Sequence, residues 1–189
     1  MSKEIYLKTP LKTDELVSLN IGDKVFITGT LYTARDAVHK KLFTLLEKKE
    51  PLPFSLAGQI IYYVGPSPAK PGDPIGSAGP TTSYRMDKYT PALLDLGLKA
   101  MIGKGVRSKE VKEAVIRNKA VYFIAVGGAG ALLAQTIKTS KVIAYDELGA
   151  EALREITVEN FPCFVGLDTK GNDLYEQGIA TYQIHEETI

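Results

Sequence analysis

KVFITGTLYTARDAVHKKLFTLL, residues 24–46, decides the fold class of this chain. Its opening run, KVFITGTLY (24–32), is rich in β-branched and aromatic residues and reads as a strand. The period then changes. Ala34, Val38, Leu42 and Leu45 recur at helical spacing with lysines on the other side, which predicts a helix beginning near Thr33. Thr33 and Asp36 have capping-box-like spacing, with aspartate in place of the preferred glutamate.

The same alternation continues outward. Strand-like runs fall at 59–66, 99–102, 120–126 and 141–146. Helix signals lie between them: Thr90-Pro91 opens a helix that stops at Gly97, and Ser108 opens one with Val111, Ala114 and Val115 on one face. GALLAQTI opens another after the glycine run at 127–130. Near the C-terminus, EITVENFPCFVGLD (155–168) and NDLYEQ (172–177) read as an antiparallel strand pair joined by a DTKG turn. The expected fold is α/β with a mixed, curved sheet, in one domain spanning 1–189.

Composition removes several classes of function. A chain of 189 residues holds one full core. A net charge of +1 argues against a general nucleic-acid or membrane surface, and no apolar stretch is long enough to span a bilayer. MSKEIYLKTP lacks the apolar core of a signal peptide, so a cytoplasmic location is expected. A single cysteine, Cys163, excludes an intrachain disulfide and a self-contained iron–sulfur cluster. Cys163 sits in the apolar run FPCFVGL and reads as a buried hydrophobe. Two histidines far apart in sequence, His39 and His185, do not make a zinc site, so no metal ligand is assigned.

Four segments could carry chemistry. In TARDAVHK (33–40), Arg35 falls in the first turn of a helix, where the dipole prefers anions. Beside free backbone N–H groups it makes an anion pocket, with Asp36 as a supporting group; a capped helix with solvated charges explains the segment equally well. His39 lies one turn on, and by itself reads as structural. In GPTTSYRMDKYTP (79–91), hydroxyls gather beside Arg85, which lies one helical turn beyond Thr81 if the segment is helical. An arginine there can hold a carboxylate through two parallel N–H bonds. In IGKG, Lys104 stands between glycines at the end of a strand, where α/β sites gather. VGGAGALLA (126–134) is neither a G-x-G-x-x-G nor a P-loop pattern, and close strand–helix packing explains it better.

Taken together, GDKVFITGTLYTARDAVHK, GPTTSYRMDKYTP, MIGKG, GGAGALLA and ENFPCFVGLDTKGND resemble, in order, the β half of class I fumarases and the related tartrate dehydratases. The resemblance implies a three-layer, swivelling β/β/α domain. It implies that a separate α subunit supplies the cysteines for a [4Fe–4S] cluster whose fourth iron acts as a Lewis acid, so that this chain binds no cofactor itself. It implies the β subunit of an α2β2-type enzyme of the tricarboxylic acid cycle that hydrates fumarate to (S)-malate. Arg35, Arg85 and Lys104 then correspond to substrate-binding positions and Thr81 to the catalytic base; beside them Thr82 is a further candidate for substrate binding, and Asp36, His39 and Asp87 are candidate supporting groups. The alternatives are an L-tartrate dehydratase β subunit, to which Ser83-Tyr84 could be the key, and a non-catalytic organic-anion-binding module.

Overall fold

β2 (Lys24–Thr33) is the strand on which the architecture turns. In the computed structural model, which describes residues 4–183, it pairs along one edge with β7 (Leu153–Leu167), antiparallel. Along its other edge it has two successive neighbours. Residues 24–28 pair in parallel with β1 (Glu4–Lys8), and Tyr32 and Thr33 pair with β3 (Ile60–Tyr62). The change of partner follows a bulge at Gly29, which has φ +123°. A Cβ there would lie 2.2 Å from Thr9 Oγ1, so only glycine lets the strand bend against that neighbour.

The remaining strands close on themselves. β3 pairs in parallel with β4 (Ala100–Gly103), β4 with β5 (Val121–Ile124), and β5 runs antiparallel to the end of β7. β6 (Ile137–Ala144) pairs with the first half of β7. Among the described residues the sheet thus has seven strands, and the pairings β2–β3–β4–β5–β7–β2 complete a ring. The parallel strands are joined through helices, as parallel connections require.

Side-chain alternation on β3, β4 and β5 makes two cores. Ile60, Tyr62, Ala100, Ile102, Val121 and Phe123 face the interior of the ring, against Val25, Ile27, Ile156 and Phe161. Ile61, Tyr63, Met101 and Tyr122 face the other way, onto Val38 and Leu42 of α2 (Asp36–Glu47), Leu93 and Leu94 of α3 (Thr90–Asp95), and Val111 and Val115 of α4 (Lys109–Asn118). α1 (Thr13–Val17) caps the ring with Leu16, and α5 (Gly130–Gln135) does so with Leu133. Among the described residues, no helix is long and apolar enough to cross a membrane.

The mixed α/β class is as expected, and two local readings are corrected. NDLYEQ is not a strand: α6 spans Leu174–Tyr182. Asp173 caps it, its Oδ1 accepting the Tyr175 N–H at 2.9 Å, and a satisfied helix start outweighs strand propensity here. The DTKG turn itself forms, with Gly171 at φ +91°. Thr33 does not cap α2. It ends β2, its Oγ1 accepting the Arg154 N–H at 3.2 Å, and Arg35 occupies the cap position. β1 and α1 carry too few residues for a periodic signal and were not read. His185 lies outside the described residues.

Candidate functional site

The chain leaves β3 at Tyr63 and returns to it at Thr81, whose N–H donates to the Tyr63 carbonyl at 2.8 Å. Between them runs the Gly- and Pro-rich loop, which is tied down along its length. Ser67 N–H donates to Ser77 O, the Tyr62 hydroxyl to Ala78 O, and Ala78 N–H to Gly130 O. Gly130 opens α5, and a Cβ there would lie 2.8 Å from Gly79 N. The glycine run at 127–130 therefore serves close packing, and its work is to seat the loop that delivers Thr81.

From Thr81 onward the chain runs beside the end of β4. Lys104 N–H donates to Thr81 O at 3.2 Å, and Ser83 N–H donates to Lys104 O at 2.9 Å, a parallel bridge between Thr82 and Lys104. The Lys104 side chain lies exposed alongside Gly127. Gly105 (φ +86°) is held from both sides. Its N–H donates to the Tyr175 hydroxyl of α6 at 2.9 Å, and its carbonyl accepts from the Tyr122 hydroxyl at 3.0 Å.

Ser83–Met86 forms a single 3-10 turn, which brings Arg85 back over Thr81. Arg85 Nη2 donates to Thr81 Oγ1 at 2.5 Å, and Arg85 Nη1 lies 3.6 Å from Asp36 Oδ1. Arg35 approaches the same carboxylate, with Nε 3.8 Å from Asp36 Oδ1, while its Nη1 pairs with Glu151 at 3.0 Å. Arg35 lies flat across Gly65, where a Cβ would be 2.9 Å from Nη1. Asp36, Lys40, Tyr84, Arg85 and Lys88 line an open cleft of about 450 Å³, large enough for a small organic anion.

Contacts thus connect Thr81, Arg85, Asp36 and Arg35 directly, and Thr82 and Lys104 adjoin them through the backbone. The other candidates point elsewhere. Ser83 is buried, its hydroxyl 2.9 Å from that of Tyr122, so the three hydroxyls of the segment do not converge on Arg85. Gly103 makes room for it, since a Cβ there would lie 2.1 Å from Ser83 Oγ. Asp87 is buried against Arg107 and accepts the Ser108 N–H at 2.6 Å. His39 is buried between Tyr63 and Tyr89, with Nδ1–H donating to the Arg35 carbonyl at 2.8 Å. Burial, and secondarily the Arg107 charge, depress its pKa to about 4, so it is neutral at pH 7.

Arg107 escaped sequence reading. It packs between the Tyr63 and Tyr122 rings and donates to Thr90 Oγ1 at 3.0 Å, fixing the floor under the 81–86 segment. A signal was present in GVRS, an arginine just before a helix cap, but an arginine in a turn ordinarily reads as solvated.

Over residues 1–178 the chain matches the family described as Fumarase C-terminus. The chain belongs to that family. It is 39% identical to a class I, anaerobic fumarate hydratase of Escherichia coli (strain K12), over 92% of this chain and 32% of that protein. It is also 39% identical to a putative L(+)-tartrate dehydratase subunit beta of Methanocaldococcus jannaschii, over 91% of both chains. Against the L(+)-tartrate dehydratase subunit beta of Escherichia coli it is 36% identical, over 97% of this chain and 92% of the other. The chain spans about a third of the length of the fumarate hydratases it matches. Its relatives are hydro-lyases.

The residues present do not fit an iron–sulfur cluster on this chain. Cys163 is buried, its thiol directed to the Val25 carbonyl, and burial pushes its pKa well above the ordinary thiol range. Among the described residues, no group of three or more His, Cys, Asp or Glu side chains could hold a metal ion.

Proposed function

We propose that this chain is the β subunit of a two-chain hydro-lyase that reversibly hydrates fumarate to (S)-malate, active only with a cysteine-bearing α subunit. Family membership supports the reaction class. The observation that carries the assignment of residues is the contact series Thr81–Arg85–Asp36–Arg35, of which Arg85 and Asp36 line an open cleft. A four-carbon diacid is a dianion, and two guanidinium groups with the Lys104 ammonium balance and orient both of its carboxylates.

Thr81 handles the carbon-bound proton, taking it from C3 of malate and returning it to C3 in the hydration direction. A threonine hydroxyl is a poor base, and the N–H bond it accepts from Arg85 favours its deprotonated form. That bond also leaves the Thr81 hydroxyl proton free to point at the substrate. The [4Fe–4S] cluster belongs to the α subunit in this reading, where it would polarise the hydroxyl group. The ring of strands is the rigid body that swivels to close over it, in the cytoplasm and in an α2β2-type assembly. Positioning and charge stabilisation then supply most of the acceleration.

A second reading is L(+)-tartrate dehydration. The relatives matched over nine-tenths of their own length carry that name. Tyr84, next to Arg85 at the cleft, is 64% exposed and placed to meet a second substrate hydroxyl.

The test is anaerobic assembly of this chain with the cysteine-bearing chain that co-purifies from its source, followed by turnover of fumarate, malate and both tartrates. Iron-dependent fumarate hydration by the mixture alone supports the first reading, and preference for L(+)-tartrate supports the second. Activity of this chain alone overturns both. Organic-anion binding without turnover in an iron-loaded complex identifies a non-catalytic binding module. Arg35→Ala and Arg85→Ala should each lower kcat/KM about 100-fold, since losing charge-assisted hydrogen bonds worth roughly 3 kcal/mol slows the reaction by that factor. Wild-type values in both variants would refute the site.

A further inference from the structure

We propose that Asp36 is a positioning residue: its carboxylate is the shared counter-ion that aims the Arg35 and Arg85 guanidinium groups at the two ends of one dicarboxylate. The proposal rests on the hydro-lyase reading and adds to it a residue that acts through the two arginines. Two guanidinium groups brought to one carboxylate repel each other. Each has its own anchor on the far side, Glu151 for Arg35 and Thr81 for Arg85, and Asp36 Oδ1 is the negative atom between them.

The distances give the role. Oδ1 lies 3.8 Å from Arg35 Nε and 3.6 Å from Arg85 Nη1, close enough for charge attraction and too far for a hydrogen bond. Oδ1 is shielded from solvent and has no hydrogen-bond partner, and the same is true of Arg35 Nε. A carboxylate that hydrogen-bonded both arginines would use the donors a substrate needs. At these distances Asp36 holds both cations by charge without taking up the Arg35 Nε–H or the Arg85 Nη1–H groups. The rest of its side chain opens onto the cleft.

The backbone keeps Asp36 there. It is the first residue of α2, where a carboxylate is also favoured by the helix dipole. One turn on, buried His39 ties the Arg35 carbonyl through Nδ1–H. Asp36 reaches the chemistry through Arg85. By holding Nη1 it keeps Nη2 on Thr81 Oγ1, the proton-transfer atom of the proposed mechanism.

This role differs from simple support of the helix in a way kinetics can read. Asp36→Asn keeps the shape and removes the charge. In the assembled complex, kcat should fall about 10- to 100-fold through misplacement of Arg85. KM for the dianion should not rise, because the cleft has become more positive. Asp36→Glu should recover most of kcat and keep the wild-type melting temperature, while Asp36→Asn should lower it by only a few degrees, about the size of the lost helix-dipole term. A second readout needs no turnover: nitrogen-15 spectra of the arginine side chains in this full chain. Slowly exchanging Arg85 guanidinium protons in the wild type should become fast in Asp36→Asn. Unchanged kcat together with unchanged Arg85 exchange overturns the proposal. So does an equal loss of stability in the Asn and Glu variants. If the wild-type complex shows no hydro-lyase activity, the functional reading fails, and the arginine spectra still decide whether Asp36 positions the pair.

Discussion

Arg107 Nε donates to Asp87 Oδ1 at 2.7 Å, and both residues are turned into the protein, 5% and 9% exposed. The pair is the floor of the segment that carries Thr81 and Arg85. Removing one partner leaves a buried charge uncompensated, so Asp87→Asn should cost about 3 kcal/mol or more of unfolding free energy in urea. A change under 1 kcal/mol, near the value of an exposed pair, would show that the guanidinium finds water or another acceptor.

Gly65 tests whether Arg35 must lie where it does. A Cβ at this position meets Arg35 Nη1 at 2.9 Å and Cδ at 3.1 Å, both atoms of a flexible side chain. Gly65→Ala should therefore leave urea stability nearly unchanged while lowering kcat/KM about tenfold, the effect of moving a positioned group by about an ångström or less. Full activity in the variant would mean that Arg35 is not held in this pose for function.

His39 gives a pH dependence of stability. Its pKa in the folded chain is about 4, against an ordinary value of about 6.5. Between those values the unfolded chain binds a proton that the native chain refuses, so stability rises with pH across that window. The contribution is full above about pH 6.5 and is lost as pH falls toward 4, on the order of 3 kcal/mol in total. Denaturant melts at pH 7 and pH 5 should show it, and His39→Phe should flatten that part of the slope. An identical slope in the variant would assign the dependence to carboxylates.

Tyr175 ties α6 to the loop that bears Lys104, accepting the Gly105 N–H at 2.9 Å. Tyr175→Phe should cost about 1 kcal/mol, the net value of one hydrogen bond, and speed exchange of the Gly105 amide. Amide exchange by nuclear magnetic resonance reads this directly. An unchanged rate would leave the Tyr122 contact as the sole tether.

Much of this architecture was legible from residue patterns. The strand–helix switch at 24–46, the Ser108 cap and the Thr90-Pro91 start are local signals, and these elements lie where their period puts them, although α2 begins at Asp36 and not at Thr33. NDLYEQ was misread because six residues carry both propensities, and the Asp173 cap decided between them. β1 alternates, with Ile5 and Leu7 turned inward and Glu4, Tyr6 and Lys8 outward, but five residues are too short a run to stand out.

The candidate site divides the same way. The residue types around Thr81 and Arg85 raise the expectation of an anion site, because charge and hydroxyl chemistry are fixed by the side chains themselves. Which groups meet was decided only by folding. Pairing the end of β2 with β3 brings the start of α2 against the 3-10 turn at 83–86, placing Asp36 between two arginines fifty residues apart in sequence. It also turns Ser83, Asp87 and His39 into the core beside Tyr122, Arg107 and Tyr63. Sequence spacing sets direction only within an element. Between elements, a side chain's partner depends on how two faces pack, and that is a property of the whole chain.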